Sequence, residues 1–330
     1  MSRRAFITLL GGVAAEFCLA LPFRVEAQAS MPVIGFLGPA SATGYAPHLE
    51  GFRQGLGEAG FVEGRTVTIE YRWADNQLDR LPSLAGELVG RPVAVLVTGG
   101  ASAAALAAKA ATATIPVVFA IGADPVKVGL VSSMNRPGGN VTGVSFLANV
   151  LVAKQLELLR ELVPSAMVIG ALVNPNNPNS PSDTSEVEKA AQSLGRQVYI
   201  VHTTAEQEFD AAFAALVARR VGALLIVPDA LFTNGRERLV ALAAIHRLPA
   251  IYTSSLYAED GGLVSYGTDI KAAFRQIGVY TGRILKGEKP SDLPVVQSVR
   301  FEMAINLKTA KALGLTVPDK LLAIADEVIE

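Results

Sequence analysis

The sequence predicts an α/β protein built from two doubly wound parallel-sheet lobes. Three observations carry that expectation. Apolar runs of strand length alternate with helix-forming stretches, and the same alternation recurs about 130 residues further along. The chain of 330 residues is also longer than one core of about 150 residues needs.

The elements follow in order. Residues 33–37 (VIGFL) read as a strand and about 48–59 as a helix. Residues 67–71 (VTIEY) alternate as a second strand, and a helix over about 81–89 precedes a third at 93–97 (VAVLV). An alanine-rich helix over about 102–112 leads to a strand at 116–120 (PVVFA). A turn cluster at 136–140 (RPGGN) precedes the run 141–145 (VTGVS). The second half repeats the pattern: 168 answers 33, 223 answers 94, and 249 answers 116. The helix ending near Gly195 leads to a strand at 198–201, as the one ending near Gly60 leads to 67–71. Residues 236–246 read as a helix, and 174–185, rich in Asn, Pro and Ser, as a loop. Strictly alternating strands and helices place both faces of a parallel sheet under helices.

Composition narrows the function classes. Half of the residues are hydrophobic and the net charge is −1, so nothing suggests the basic face that a nucleic-acid partner needs. No apolar run reaches the 18 or so residues of a membrane span. Residues 1–27 have the three-part layout of a secretory signal peptide, with Arg3, Arg4 and Phe6 resembling a twin-arginine motif. An ordinary Sec signal with two chance arginines is the alternative. The single cysteine, Cys18, lies inside this segment without a lipoprotein box, so the mature chain has no thiol, disulfide or cysteine-ligated metal. Its removal takes three arginines and two glutamates and leaves a net charge of −2.

Ligands of such sheets bind outside the carboxyl ends of the strands, and facing lobes make a cleft. The residues expected to meet a ligand are Ser41, Thr98, Gly99, Gly100, Ser102, Gly122 and Asp124 in the first half. Asn174, Asp229, Ser254, Tyr257 and Asp269 join them from the second. The stretch TGGAS at 98–102 matches neither the dinucleotide fingerprint nor the P-loop. It offers helix-start amides, two glycines and two hydroxyls, which suit a small carboxylate. A plain turn with Ser102 as N-cap is the competing reading. Asp229 is the leading partner for a ligand ammonium, ahead of Asp124 and Asp269, although an Asp after a strand commonly serves as a turn or cap residue.

Catalytic groupings are scarce. His48, His202 and His246 are far apart, no pair has metal-ligand spacing, and no nucleophile elbow is present. Trp73, Tyr45, Phe232 and Tyr257 fall near cleft loops, where stacking on a ligand and ordinary packing are both open. Neither an enzyme, a cofactor nor a metal is expected.

The run DPV at 124–126, GLV at 129–131 and RPGGNVTGV at 136–144 resembles the periplasmic substrate-binding proteins of ABC transporters, in the branch with tryptophan/tyrosine-type members. Residues 107–119, 248–252 and 261–267 (GGLVSYG) support the likeness, which covers about residues 31–330. The resemblance implies a type I periplasmic-binding fold whose lobes are joined by three hinge crossings. On that pattern the first lobe takes 31–146 plus 264–295 and the second 147–263 plus 296–330, with crossing strands at 264–267 and 293–296. It further implies a monomeric, exported periplasmic receptor that delivers a small carboxylate ligand to an ABC permease in the inner membrane. The ligand would be an aromatic or branched amino acid or an aromatic acid. A ligand sensor serving a membrane receptor and an exported α/β enzyme remain the alternatives. Relatives carry Arg-Glu where this chain has Ser255 and Leu256, which implies a less polar pocket.

Overall fold

A computed structural model describes residues 31–146, 151–297 and 300–330. The expected export segment, with Arg3, Arg4 and Cys18, lies outside the described residues. In the first half, strands β1 (Val33–Gly38), β2 (Thr68–Trp73), β3 (Val93–Gly99), β4 (Val117–Ile121) and β5 (Val141–Ser145) alternate with helices α1 (Ala46–Glu58), α2 (Leu81–Val89) and α3 (Ser102–Ala111). The second half opens with α4 (Val152–Leu162), β6 (Val168–Val173), α5 (Ser180–Ser193) and β7 (Gln197–His202). It continues with α6 (Phe209–Ala218), β8 (Ala223–Ile226), α7 (Ala230–Asn234), α8 (Arg236–Ile245), β9 (Ala250–Tyr252), α9 (Ser255–Glu259) and β10 (Val264–Thr268). The last part holds α10 (Ile270–Leu285), β11 (Val296–Gln297), β12 (Phe301–Asn306), α11 (Leu307–Ala312), α12 (Asp319–Ile324) and β13 (Glu327–Ile329).

The first sheet has the order β11-β5-β4-β3-β1-β2 and is parallel throughout. The second runs β13-β12-β10-β9-β8-β6-β7, parallel except where β12 lies antiparallel to β10. Five strands of each sheet therefore share the order 2-1-3-4-5, so the repeat in the sequence is a repeat of topology. Both lobes bury apolar side chains on both faces of their sheet. In the first lobe Phe36, Phe52 and Ile277 fill one face, while Leu88, Ala105 and Phe119 fill the other. In the second lobe Leu156, Val187 and Leu225 lie opposite Phe209, Phe213 and Leu224. Among the described residues no helix is long and apolar enough to cross a membrane.

Three expectations about the second half are corrected. The strand over 264–268 lies in the second sheet, not in the first lobe, because Val264 and Ser265 pair with Ile251 and Tyr252 as the fifth strand of the repeat. Conversely, Val296 and Gln297 pair with Val144 and Ser145 in the first sheet. The chain thus passes between sheets three times: after β5, between β10 and α10, and between β11 and β12. The stretch 174–185 is a loop only as far as Asn179; helix α5 begins at Ser180. Pro181 sits in its opening turn, where a missing N–H costs nothing.

Helix α10 returns from the second lobe to pack on α1. Gly55 and Gly278 are what allow it: a Cβ on Gly278 would meet the Phe52 carbonyl oxygen, and one on Gly55 the Arg275 carbonyl. The helices therefore touch backbone to backbone, and this contact sets the position of Phe274 on α10.

Candidate functional site

A cavity of about 360 Å³ opens between the lobes at the carboxyl ends of the strands, within the range of small-molecule sites. The first lobe contributes Gly100 and Ala101 after β3, and Gly122, Ala123, Asp124 and Lys127 after β4. Tyr45 and His48 come from the start of α1, and Phe274 from α10. The second lobe contributes Asn177, Asn179, Ser182 and Asp183 around the start of α5, with Asp229, Thr233 and Thr253 from the next two strand ends.

The start of α3 forms one pole. Gly100 turns the chain at φ +90, a conformation that favours glycine, and the Tyr45 hydroxyl packs where a Cβ would project. The N-cap is Ala101, in extended backbone, with no side-chain hydrogen bond to the helix amides. The competing reading, with Ser102 as N-cap, is therefore not what the helix uses, and the Ser102 hydroxyl expected to meet a ligand is not on the cavity lining either. The opening amides of α3 are left without a side-chain acceptor at the end of the dipole that attracts anions. Ser102 is instead buried at the seam between the lobes, with its Oγ 3.4 Å from Asn179 Oδ1.

Aromatic rings form one wall. The His48 ring lies 5.2 Å from that of Tyr45 and 5.1 Å from that of Phe274. Burial, helped by Arg236, lowers the His48 pKa to about 4 and keeps the imidazole neutral. Its Nδ1 is buried and has no hydrogen-bond partner among the described residues. Burial, with Asp229 nearby, also pushes the Tyr45 phenol upward, so it stays protonated.

Two carboxylates form the opposite pole. Asp229 caps α7 by accepting from the Leu231 amide at 2.8 Å, and it also accepts from Asn174 Nδ2 at 3.1 Å and Asn177 Nδ2 at 2.7 Å. Burial raises its pKa, and these hydrogen bonds pull it back. Asp183 sits in the first turn of α5 and is 5% exposed. Burial first, and then the charge of Asp229, pushes it up to about 7.

Of the residues expected to meet a ligand, Gly100, Gly122, Asp124 and Asp229 line the cavity. Asp124 also holds its own turn, accepting from the Val126 amide at 2.9 Å. Asn174 is buried behind the lining and supports Asp229. Ser41 and Ser102 lie on the seam, Ser41 hydrogen-bonding to Asn234 of the other lobe. Five others do not reach the cavity. Thr98 is fully buried within β3, and Gly99 is set against the Phe274 ring. Ser254 caps α9, and Asp269 caps α10 through the Ala272 amide at 2.8 Å. Tyr257 is core, its ring 4.7 Å from that of Tyr252. Ser255 and Leu256 themselves are also off the lining, and Ser255 donates to Glu302 at 3.0 Å.

Trp73 and Phe232 are packing residues as well, and His202 is exposed at the end of β7. The sequence reading missed His48, Phe274, Asp183 and Asn177 as lining residues. Asn177 lies in the loop after β6 that was expected to face the cleft, whereas Asp183 lies beyond it, in the first turn of α5. Phe274 has no local signal, since it arrives through the α1–α10 contact. Among the described residues no three His, Cys, Asp or Glu side chains come together to hold a metal.

Comparison with known proteins agrees with this architecture. The chain is 28% identical over 266 residues to a tyrosine-binding protein of Clostridioides difficile strain R20291, covering 81% of this chain and 76% of the relative. An ABC domain from Streptococcus pneumonia, solved in complex with L-Trp, aligns with TM-score 0.81 at 28% identity, covering 91% of this chain and all of that one. The ligand-free, open structure of a substrate binding protein with adhesive properties from Clostridium difficile aligns at 0.63 and 27% identity, covering 90% of this chain and 99% of that one. The fold is the type I periplasmic-binding fold that these neighbours share. The family described as ABC transporter substrate binding protein matches residues 34–329, and the chain belongs to that family of binding proteins, which are not enzymes.

Proposed function

We propose that this protein is an exported receptor that captures an amino acid with an aromatic or branched side chain in the inter-lobe cleft and delivers it to an ABC permease. One observation carries the reading: the cavity sets an uncapped helix start of one lobe against an acidic pair of the other, with an aromatic wall beside them. A zwitterion fits that polarity, its carboxylate at the α3 amides and its ammonium at the carboxylates, while its side chain packs on Tyr45 and Phe274. A ligand touching both lobes gains contacts only when they are closed, and that difference drives closure. The names of the relatives support the ligand class. The higher similarity to the L-Trp complex than to the open, ligand-free structure, at nearly equal identity, supports the closed arrangement.

The test is thermal unfolding and scattering with L-tryptophan, L-tyrosine, L-phenylalanine and L-leucine. A true ligand at about 100 times its Kd should stabilise the protein by about 2.7 kcal/mol and reduce its radius of gyration. If none of the four shifts the transition, the amino-acid reading fails.

Export rests on residues 1–27 and their Arg3-Arg4 pair. Replacing both arginines by lysine is expected to stop processing and leave the precursor in the cytoplasm. Unchanged processing would assign the segment to the Sec route.

A further inference from the structure

We infer that Asp183, and not Asp229, is the carboxylate that receives the ligand's ammonium group, and that Asp183 sheds a proton as the ligand enters. The inference rests on the amino-acid reading of the cleft. Asp229 already accepts three hydrogen bonds, from Leu231, Asn174 and Asn177, so its charge is held by the protein itself. Asp183 differs. Its backbone is engaged in the helix, the amide donating to the Asn179 carbonyl at 3.0 Å. Its carboxylate lines the cavity on a residue 5% exposed and has no hydrogen-bond or ion-pair partner among the described residues.

Two buried carboxylates facing one cavity repel, and the one without donors is the one that takes a proton when the cleft is empty. Burial and Asp229 push Asp183 up to about 7, which agrees with the geometry. The other titratable and charged groups on the lining are Tyr45 and His48 from α1, and Asp124 and Lys127 after β4. Lys127 is the one basic side chain there, and it is exposed. His48, lowered to about 4, stays neutral between about pH 5 and 8, and Tyr45 stays protonated. The elements packed against α5, namely α4, β6 and β7, put no charged side chain on the cavity. An arriving ammonium stabilises the ionised form of Asp183. The carboxyl proton leaves to solvent while the ligand keeps its own.

The experiment is calorimetry of the full chain with L-tryptophan, indole-3-propionate and tryptamine from about pH 5 to 8, in buffers of different ionisation enthalpy, for the parent and Asp183→Asn. Parent affinity for L-tryptophan should fall about tenfold for each pH unit below 7, with close to one proton released. Asp183→Asn should bind L-tryptophan about 10- to 100-fold more weakly at about pH 8, lose both the slope and the proton release, and bind indole-3-propionate no worse. A variant that keeps the parent's affinity and slope overturns the role of Asp183 and leaves the receptor reading standing. Failure of L-tryptophan, L-tyrosine, L-phenylalanine and L-leucine alike to bind the parent overturns the amino-acid reading, and the ammonium role with it. If another of the four binds in place of L-tryptophan, the same series is run with it and its amine and acid analogues.

A ligand-free readout tests the proton separately. A raised carboxyl pKa makes the folded state lose stability as pH rises from the unfolded value of about 4 to the folded one. The Tm of Asp183→Asn should therefore exceed the parent's by a margin that grows from about pH 5 to 8. A margin that does not grow overturns the protonation.

Discussion

Ala101→Asp is expected to stabilise the ligand-free protein and at the same time nearly abolish capture of a carboxylate ligand. Ala101 is already in the extended backbone of an N-cap, at φ −141 and ψ 137, and lacks only the side-chain oxygen. An aspartate there would accept from the free amides of α3, a gain of about 1 kcal/mol visible as a raised urea midpoint. The same carboxylate would occupy the pole proposed for the ligand and repel its charge. Affinity for L-tryptophan should drop about 100-fold or more, and that of tryptamine, which has no carboxylate, much less. Ala101→Asn, a neutral cap, should give the stability gain with a smaller loss of affinity. Parent-like binding of L-tryptophan to Ala101→Asp would move the ligand carboxylate away from α3.

Gly278→Leu should damage the fold severely. A Cβ on Gly278 already meets the Phe52 carbonyl and lies 2.8 Å from the Leu56 amide nitrogen, so neither neighbour can swing aside as a side chain would. The helices must separate, exposing Phe52, Phe274 and Ile277, which are fully buried. A cost of about 4 kcal/mol, at the upper end for overpacking, is expected, with Gly278→Ala losing less in the same urea series. Because Phe274 is on the cavity wall, ligand affinity should fall along the same series. Parent-like stability of Gly278→Leu would contradict the close crossing of α1 and α10.

Much of the candidate site was legible, but as loops and not as side chains. The loop after β3 does reach the cavity, yet within it Thr98 is buried in the sheet, Ala101 takes the cap position, and Ser102, expected to meet a ligand, is buried at the seam. Among the strand-end polar residues, Asp269 and Ser254 are consumed by caps of α10 and α9, because a helix start needs an acceptor and the nearest Asp or Ser supplies it. Asp229 caps α7 and still lines the cavity, since one carboxylate has more acceptor directions than a cap uses. Tyr257 could have stacked on a ligand or on core; Tyr252, a neighbour through the turn after β9, decided for core.

By itself the sequence determined the class of the fold, the twofold repeat and the end of the sheets at which the cavity opens. These are written in short-range periodicity: a strand buried on both faces must be apolar residue after residue, and a helix must stop where its cap allows. Only the tertiary structure decided that β10 belongs to the second sheet, that Phe274 reaches the cleft, and that Asp183 is left without a partner beside Asp229. Each of these depends on contacts between residues distant in the chain. The polar ones depend further on competition, because an acid's role is set by which donors remain once neighbouring helix ends and asparagines have taken theirs.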